Sequence, residues 1–375
     1  MQRRQQLKKA RRIVVKIGTS LLTSGREGVK QTFLTKVAAE VATLRQAGRE
    51  VIIVTSGAIG LGVAALGAKE KPKTIPGKQA MAAVGQPRLM QAYAQAFAKH
   101  RLTTGQILLT ADDIQDRERY AHARNALLEL LRLGVVPVFN ENDTVGVQEI
   151  KIGENDTLSA HVTHLAEADL LIILTDVAGL YTANPVQNPD AELLEHVDVI
   201  DRAVESMACG AGSELGTGGM ATKIKAAKMV TGSGEEMVIA DGRLPKVLGR
   251  ILAGEPLGTV FYPHGDKLAS RKHWIAFGLR CRGSVQLDAG AALALKNRGK
   301  SLLPSGIRTV TGRFKQGDCV GLLDESGREF ARGLSNYSSD DVVKLCGVKT
   351  ADIERVLGYK NSDEIIHRDD LVLLA

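Results

Sequence analysis

The sequence predicts an α/β protein: a three-layer α/β/α domain built on a mainly parallel β-sheet, followed by a small, mainly β domain. Over roughly the first 275 residues, short apolar runs alternate with segments of helical periodicity. Strands that are apolar almost throughout are typical of parallel sheets covered by helices on both faces. After about residue 275, short strand-like segments separated by turn sequences predict an independent β domain.

Five apolar runs are expected to form strands of the larger domain. They are RIVVKIG (12–18), VIIVTSG (51–57), GVVPVFN (134–140), LLIILTD (170–176) and EEMVIADG (235–242). The segments TKVAAEVATLRQAG and ARNALLELLRLG are helix-periodic and end at glycines, which suit a helix C-terminus. Ligands of such sheets bind beyond the carboxyl ends of the strands, so the loops after the five runs are the expected binding region.

The predicted organisation has three parts: a basic N-terminal tail (1–11), the α/β domain (12–275) and the β domain (280–375). The turn sequences Pro-Ser-Gly (304–306), Gln-Gly-Asp (316–318) and Glu-Ser-Gly (325–327) separate the predicted strands of the second domain. A chain of 375 residues is long enough for two domains.

The formal net charge of +7 comes almost entirely from the tail. The first twelve residues contain Arg3, Arg4, Lys8, Lys9, Arg11 and Arg12 and no acidic residue. The rest of the chain is close to neutral, which disfavours a nucleic-acid-binding protein, and we expect the tail to be a solvated, frayed terminus.

The sequence predicts a cytoplasmic protein that is not embedded in a membrane. No apolar segment of a secretory signal follows the tail, and the uncharged stretch 51–68 is interrupted by Thr-Ser-Gly and further glycines. The cysteines at 209, 281, 319 and 346 contain no Cys-x-x-Cys spacing, so reduced structural thiols are expected.

A formal G-x-G-x-x-A sequence lies at 60–65, after the second predicted strand. A dinucleotide-binding site would need an acidic residue about 20 positions later, and AMAAVGQPRLM (80–90) has none. We therefore interpret this stretch as a loop whose amides, with the Ser56 hydroxyl, face a small anion at a helix start.

A second glycine-rich loop, ELGTGGMATKIKAAK (214–228), runs into a lysine-rich helix that begins near Lys223. Taken alone, it is equally a plain turn before a solvated helix. Lys16 ends the first apolar run, where it is either a surface charge on an edge strand or an active-site cation. Two lysines and two anion-binding loops at one rim favour phosphoryl transfer by positioning and charge.

The triplet Glu-Asn-Asp occurs twice, at 141–143 and 154–156. The first copy follows a predicted strand, which places Asp143 on the binding rim. The second copy begins a helical pattern, so Asp156 is either a helix cap or a carboxylate that orients the two lysines.

Seven motifs in one order resemble those of the glutamate 5-kinases, which are members of the amino acid kinase family. The motifs are IVVKIGTSLLT, VTSGAIGLG, KQAMAAVGQ, PVFNENDTV, GENDTLSA, LTDVAGLYTANP and GTGGMATK. The resemblance covers about residues 12–265. The stretch SLLPSGIRTVTGRFKQGDCVGLLDESGREFARGLSNY (301–337) resembles a PUA domain.

The resemblance implies ATP-dependent phosphorylation of the γ-carboxylate of L-glutamate to γ-glutamyl phosphate, the first step of proline biosynthesis. It implies catalytic roles for Lys16, Lys223 and Asp156, and contacts with glutamate from Ser56, Asp143 and Asn155. The residues implied at ATP are Lys16, Thr175, Asp176, Thr217, Gly218, Gly219, Met220, Ala221, Thr222 and Lys223. The Mg²⁺ of this reaction is expected to be held mainly by the nucleotide, with no protein ligand named.

No general base is expected, because a carboxylate with a reference pKa of about 4.3 is already ionised at neutral pH. His122, His161 and His164 are accordingly expected on helix surfaces or in packing positions.

The resemblance further implies feedback inhibition by proline, a homodimer or homotetramer, and channelling of the product to glutamate 5-semialdehyde dehydrogenase. Two alternatives stay open. One is a related amino acid or carbamate kinase, and the other is an RNA-binding protein acting through the PUA domain. The near-equal numbers of basic and acidic residues in 281–375 make RNA an unexpected partner.

Overall fold

A computed structural model of the protein describes residues 3–23, 28–146, 155–209, 219–263 and 281–374. Of these residues, 3–115 and 122–263 form one unit, and 116–121 and 281–374 form a second. Each unit has its own sheet and its own apolar core. No helix in the described ranges is long and apolar enough to cross a membrane.

The first unit is built on a sheet of eight strands in the order β3-β4-β2-β1-β5-β7-β8-β6. The strands are β1 (Arg12–Ile17), β2 (Glu50–Val54), β3 (Thr104–Leu109), β4 (Val136–Glu141), β5 (Leu170–Thr175), β6 (His196–Val197), β7 (Glu236–Asp241) and β8 (Thr259–Phe261). Every neighbouring pair is parallel except β7 and β8. The predicted mainly parallel sheet is therefore confirmed.

The described residues up to 263 contain ten α-helices. They are α1 (Thr19–Leu22), α2 (Gln31–Gln46), α3 (Ala58–Ala65), α4 (Ile75–Ala98), α5 (Ala111–Gln115), α6 (Arg117–Arg132), α7 (Asn155–Leu165), α8 (Arg202–Cys209), α9 (Met220–Gly232) and α10 (Val247–Leu252). A 3₁₀ helix (Arg3–Lys9) precedes β1.

The five strands predicted from apolar runs are β1, β2, β4, β5 and β7, and all five are confirmed. Sequence inspection missed β3, β6 and β8, of which β3 is an edge strand that pairs only with β4 in the described sheet. Most of its residues are only half-buried, so its sequence, TGQILL, lacks the continuous apolar character of the central strands.

Strand β1 lies between β2 and β5 and sets the direction of Lys16. Ile13, Val15 and Ile17 pack into the core shared with α2 and α4. Side chains alternate between the two faces of a strand, so Val14 and Lys16 face the opposite layer. That layer contains α7 and α9. The side chain of Lys16 therefore faces the N-termini of these two helices.

Helices α3 and α4 approach each other closely at two glycines. A Cβ atom at Gly62 would lie 1.9 Å from the carbonyl oxygen of Met81, and one at Gly85 would lie 1.8 Å from that of Ala58. The predicted phosphate-facing role of the G-x-G-x-x-A stretch is wrong for Gly62, which lies inside α3. Its absent side chain allows helix packing.

The N-terminal segment docks onto the first unit. Leu7 is fully buried and Arg4 is 6% exposed. The Arg4 guanidinium donates to four carbonyl oxygens, those of Glu195, Glu255, Leu257 and Gly258, at 2.6–3.0 Å. The expectation of a solvated, frayed terminus is therefore wrong for residues 3–9. The planar Arg4 guanidinium donates hydrogen bonds to carbonyl oxygens that would otherwise be buried without partners.

The second unit contains a five-stranded sheet in the order β10-β9-β11-β12-β13. Its strands are β9 (Gly283–Leu287), β10 (Ile307–Gly312), β11 (Cys319–Leu323), β12 (Glu329–Leu334) and β13 (Leu371–Leu373). Its helices are α11 (Ala289–Arg298), α12 (Ser339–Leu345) and α13 (Ile353–Leu357). The predicted small, mainly β fold is confirmed, whereas the exact domain boundaries stay a prediction.

We expect Arg4→Met to lower the free energy of unfolding by about 2–3 kcal/mol, because four buried carbonyls lose a charged donor. Arg3→Met is the matched control. Arg3 is exposed and pairs with Asp198, so we expect it to cost less than about 1 kcal/mol. Denaturant unfolding of both variants measures the difference, and equal effects would contradict a docked N-terminus.

Candidate active site

Three buried charges meet at the carboxyl edge of the first sheet. The Nζ atom of Lys16 lies 2.7 Å from Oδ1 of Asp156, and the Nζ atom of Lys223 lies 3.3 Å from Oδ2. The three side chains are 7%, 0% and 5% exposed, in the order Lys16, Asp156, Lys223. A single carboxylate thus bridges two ammonium groups that would otherwise repel each other.

Each of the three residues is held by a different element. Lys16 is on the central strand β1, Asp156 is in the first turn of α7, and Lys223 is in the first turn of α9. Strand β1 is paired on both sides, so the alternative of a surface charge on an edge strand is wrong. Helix α9 has seven buried residues, so it is not the solvated helix considered above.

Thr222 adds a neutral donor to the same carboxylate. Its hydroxyl oxygen lies 2.6 Å from Oδ2 of Asp156 and donates to it. Both oxygens of Asp156 are therefore engaged by Lys16, Lys223 and Thr222. This geometry goes beyond what a helix cap requires and supports a lysine-orienting role for Asp156.

The ionisation of this cluster follows from burial and charge together. Burial alone would raise the pKa of Asp156, but Lys16, Lys223 and the hydrogen bond from Thr222 outweigh it and hold that pKa below its ordinary value. Burial also lowers the pKa of Lys223, which the Asp156 carboxylate opposes. Two lysines and one carboxylate give the cluster one excess formal positive charge at a rim that faces the binding region.

A chain of side-chain amides leads to the cluster from the sheet edge. Asn155 Nδ2 donates to Ser56 Oγ at 3.2 Å and to Asn140 Oδ1 at 3.3 Å. Asn140 Nδ2 donates to Gln86 Oε1 at 2.8 Å, and Gln86 Nε2 donates to Gln106 Oε1 at 3.0 Å. Each amide nitrogen donates to the next amide in the order Asn155, Asn140, Gln86, Gln106. This series of hydrogen bonds fixes the side-chain nitrogen of Asn155 as the end that faces Ser56.

The carbonyl end of the Asn155 side chain is consequently available as an acceptor. Its Oδ1 atom is buried, and within the described residues no group donates to it. Buried polar atoms without partners are rare in folded proteins and call for an explanation. A bound ligand that presents an N–H donor would provide one.

Ser56 is 7% exposed and lies between β2 and α3. The next residue, Gly57, has φ of 103°, and a Cβ there would lie 3.2 Å from Cγ2 of Thr23. The left-handed backbone and the crowded position both favour glycine. Gly57 therefore turns the chain directly after Ser56 into the start of α3.

The structure places the remaining predicted residues along the same carboxyl edge. Asp143 is half-buried two residues beyond β4, in a narrow crevice that Thr110 and Glu141 also line. Thr175 ends β5, and its hydroxyl donates to Oδ1 of Asp176 at 3.2 Å. The charge of Asp176 also acts on Lys223.

The predicted glycine-rich loop is only partly described. Gly219 is the N-cap of α9, and Met220 and Ala221 begin the helix. Thr217, Gly218 and Glu154, which belong to predicted motifs, lie outside the described residues. The N-terminus of α9 and the two lysines form a site suited to an anion such as a nucleoside triphosphate.

The three histidines are located on helices, as predicted. His122 is on α6, and His161 and His164 are on α7. His164 is paired with Glu235 at 3.5 Å.

Sequence reasoning missed Gln86, Asn140 and Gln106. Asn140 lies in the motif PVFNENDTV, and Gln86 is the last residue of the motif KQAMAAVGQ. Nothing in the sequence shows that two amides 54 positions apart will meet.

Comparison with known proteins shows the family of the chain. A model described as amino acid kinase family matches residues 11–241, and a model described as PUA domain matches residues 283–357. A glutamate 5-kinase of Geobacter sp. (strain M21) is 52% identical over 372 residues, which is 99% of this chain and 100% of that protein.

Two further relatives give the same result. The glutamate 5-kinase of Caldanaerobacter subterraneus subsp. tengcongensis is 52% identical and matches 97% of this chain and 98% of its own length. The glutamate 5-kinase of Geobacter sulfurreducens is 50% identical, with 98% and 99% matched.

We expect Thr222→Val to lower the free energy of unfolding by about 1.5–3 kcal/mol, because a buried carboxylate loses a hydroxyl donor. Thr231→Val is a matched control on the same helix. The Thr231 hydroxyl is also buried but donates only to the carbonyl of Ala227, so a loss of about 0.5–1.5 kcal/mol is expected. Chemical denaturation measures both variants. Equal losses would show that Asp156 does not depend on Thr222.

Proposed function

The chain belongs to the amino acid kinase family and, within it, to the glutamate 5-kinases, and we propose that it phosphorylates the γ-carboxylate of L-glutamate with ATP. The observation that supports this most strongly is the buried Lys16–Asp156–Lys223 cluster beside Ser56 and Asn155. The same relatives favour a kinase over an RNA-binding protein, and glutamate over other acceptors of related kinases.

The reaction needs no proton transfer from the enzyme to make a nucleophile. The γ-carboxylate of glutamate has a reference pKa of about 4.3 and is ionised at neutral pH. The described site agrees with this, because it contains lysines, amides and hydroxyls. The histidines considered above lie on α6 and α7. The main difficulty is electrostatic, because an anion must approach a polyanion.

Lys16 and Lys223 are proposed to stabilise the transferring phosphoryl group from two sides. Charge develops on the phosphoryl oxygens during transfer, and donors already in place there are typically worth about 10²–10³ each in rate. Asp156 contributes by holding the two ammonium groups at fixed distances. It acts through the lysines and is therefore a positioning residue.

The residues present fit ATP at the carboxyl edge. Thr175, Asp176 and the start of α9 at Gly219 are proposed to contact the nucleotide, together with the predicted residues Thr217 and Gly218. ATP supplies the phosphoryl group, and the Mg²⁺ bound to it neutralises part of its charge. Both oxygens of Asp156 are already engaged, so the protein is not expected to use them as metal ligands.

Glutamate recognition is proposed to use Ser56, Asn155 and Asp143. The unpartnered Oδ1 of Asn155 is suited to accept from the α-ammonium group of the substrate. The carboxylate of Asp143, on the same rim, would complement that charge. Proline presents the same α-carboxylate and a protonated nitrogen, so we propose that it inhibits by binding to these residues.

The other expected properties stay predictions. They are the homodimeric or homotetrameric state, channelling to glutamate 5-semialdehyde dehydrogenase, and a cytoplasmic location.

The proposed activity is tested by measuring ADP release with Mg²⁺-ATP and a panel of acceptors: L-glutamate, N-acetylglutamate, aspartate, carbamate and UMP. We expect L-glutamate to give the highest kcat/KM, and Lys223→Met to lower kcat by about 10² or more. Preferential turnover of another acceptor by the parent chain, or undiminished kcat in the lysine variant, would contradict the proposal.

A second experiment tests the amide chain. Gln86→Ala removes the partner of Asn140, and we expect the KM for glutamate to rise about threefold to tenfold while kcat changes little. That pattern indicates a contact made equally in the ground state and the transition state. Gln91→Ala, an exposed glutamine on the same helix, is the matched control and is expected to be unchanged. An unchanged KM for glutamate in Gln86→Ala would show that the hydrogen-bonded amides do not orient Asn155.

A further inference from the structure

Two cysteines lie side by side in the second unit. The Sγ atoms of Cys281 and Cys319 are 3.6 Å apart, and neither cysteine is in a disulfide. Cys319 is fully buried, whereas Cys281 is half-buried. An S–S bond is about 2.05 Å long, so a shift of about 1.5 Å would join the two sulfurs.

The backbone holds this arrangement in place. Strands β9 and β11 are parallel neighbours, with Gly283 opposite Val320. The amide of Arg282 donates to the carbonyl oxygen of Cys319 at 3.0 Å. Cys281 therefore precedes a residue that is bonded directly to the other cysteine, and the two side chains meet through regular sheet geometry.

A pair of opposite charges lies beside the sulfurs. Arg332 on β12 is paired with Gly321 on β11, and its guanidinium interacts electrostatically with both Cys281 and Cys319. Its Nε atom donates to Oε1 of Glu329 at 2.8 Å. A Cβ atom at Gly321 would lie 3.0 Å from that same oxygen, so the glycine leaves room for the carboxylate.

We propose that Cys281 and Cys319 form a thiol–disulfide exchange site that reacts with low-molecular-weight disulfides and closes to an internal disulfide. The inference concerns the second unit alone and does not depend on the proposed kinase activity. The partial exposure of Cys281 assigns it the attacking role, and the burial of Cys319 assigns it the resolving role. The guanidinium of Arg332 and the carboxylate of Glu329, whose Oε1 lies 4.0 Å from the Cys281 sulfur, act on that thiol in opposite directions, so the attacking role is assigned from exposure alone.

The exchange balances in two steps. The Cys281 thiolate attacks one sulfur of a disulfide RSSR, forming a Cys281–S–S–R bond and releasing RS⁻. The Cys319 thiolate then attacks the Cys281 sulfur, forming the Cys281–Cys319 bond and releasing a second RS⁻. Two protein thiols are oxidised by two electrons, RSSR is reduced to two RSH, and the two thiol protons end on the released RSH.

Cys346 provides an internal comparison in the same unit. Its thiol donates to the carbonyl oxygen of Val342, and burial raises its pKa. A protonated thiol is a poor nucleophile, so this cysteine is expected to react slowly.

The test uses the reduced full-length protein and oxidised glutathione. After incubation, free thiols are alkylated with iodoacetamide, and the intact mass and peptide map are measured. The digestion must avoid trypsin, because Arg280 and Arg282 flank Cys281 and would leave it in a dipeptide. We expect two fewer alkylated thiols, a Cys281–Cys319 linkage, and no retained glutathione.

Variants separate the two roles. Cys319→Ala should retain glutathione on Cys281, because the resolving thiol is gone, whereas Cys281→Ser should leave Cys319 reduced. Cys346→Ser should react like the parent chain.

The proposal would be overturned if the folded parent chain kept both Cys281 and Cys319 alkylated while other thiols were oxidised. An unchanged extent of disulfide formation in Cys281→Ser would overturn it as well. Cys281 is half-exposed, so that variant is expected to fold even if substitution at the buried Cys319 disturbs the core.

Discussion

The carboxylate of Asp156 has to balance two ammonium groups in a place with almost no access to water, and the arrangement of the first unit depends on that balance. Removing one partner of a buried ion pair typically costs about 3–5 kcal/mol, because the other charge is left uncompensated. Here the loss of Asp156 would leave two like charges together. The two lysines can therefore occupy one site only while the carboxylate stays ionised between them.

The fold supplies this balance through its topology. A parallel sheet gathers the carboxyl ends of its strands at one edge, and the helices that cover its second face begin at the same edge. Lys16 reaches that face through strand alternation, and Asp156 and Lys223 reach it from the first turns of α7 and α9. The excess positive charge lies where helix N-termini also favour anions.

Residues whose position depends on local pattern could be located from the sequence. Lys16, Asp156 and Lys223 are in short motifs at strand ends and helix starts, and the apolar runs located the central strands. Edge strand β3 could not be found in this way, because half-buried residues weaken the pattern.

Features that depend on long-range contact could not be predicted. The amides of Gln86 and Asn140 meet only after α4 packs beside β4. Arg4 was interpreted as part of a solvated tail, because its four carbonyl partners lie about 190–250 residues away in the sequence and come together only in the folded chain. A basic residue gives no local sign that it will be buried.

The central claim is that Asp156 acts through the lysines, and a double-mutant cycle tests it most directly. The kcat for glutamate-dependent ADP release would be measured for the parent chain, Asp156→Asn, Lys223→Met and the double variant. If Asp156 serves to place Lys223 and Lys16, the fold decrease in kcat of the double variant should be much smaller than the product of the fold decreases of the two single variants. Losses that multiply independently would show that the carboxylate and the lysine act separately, and would contradict the account.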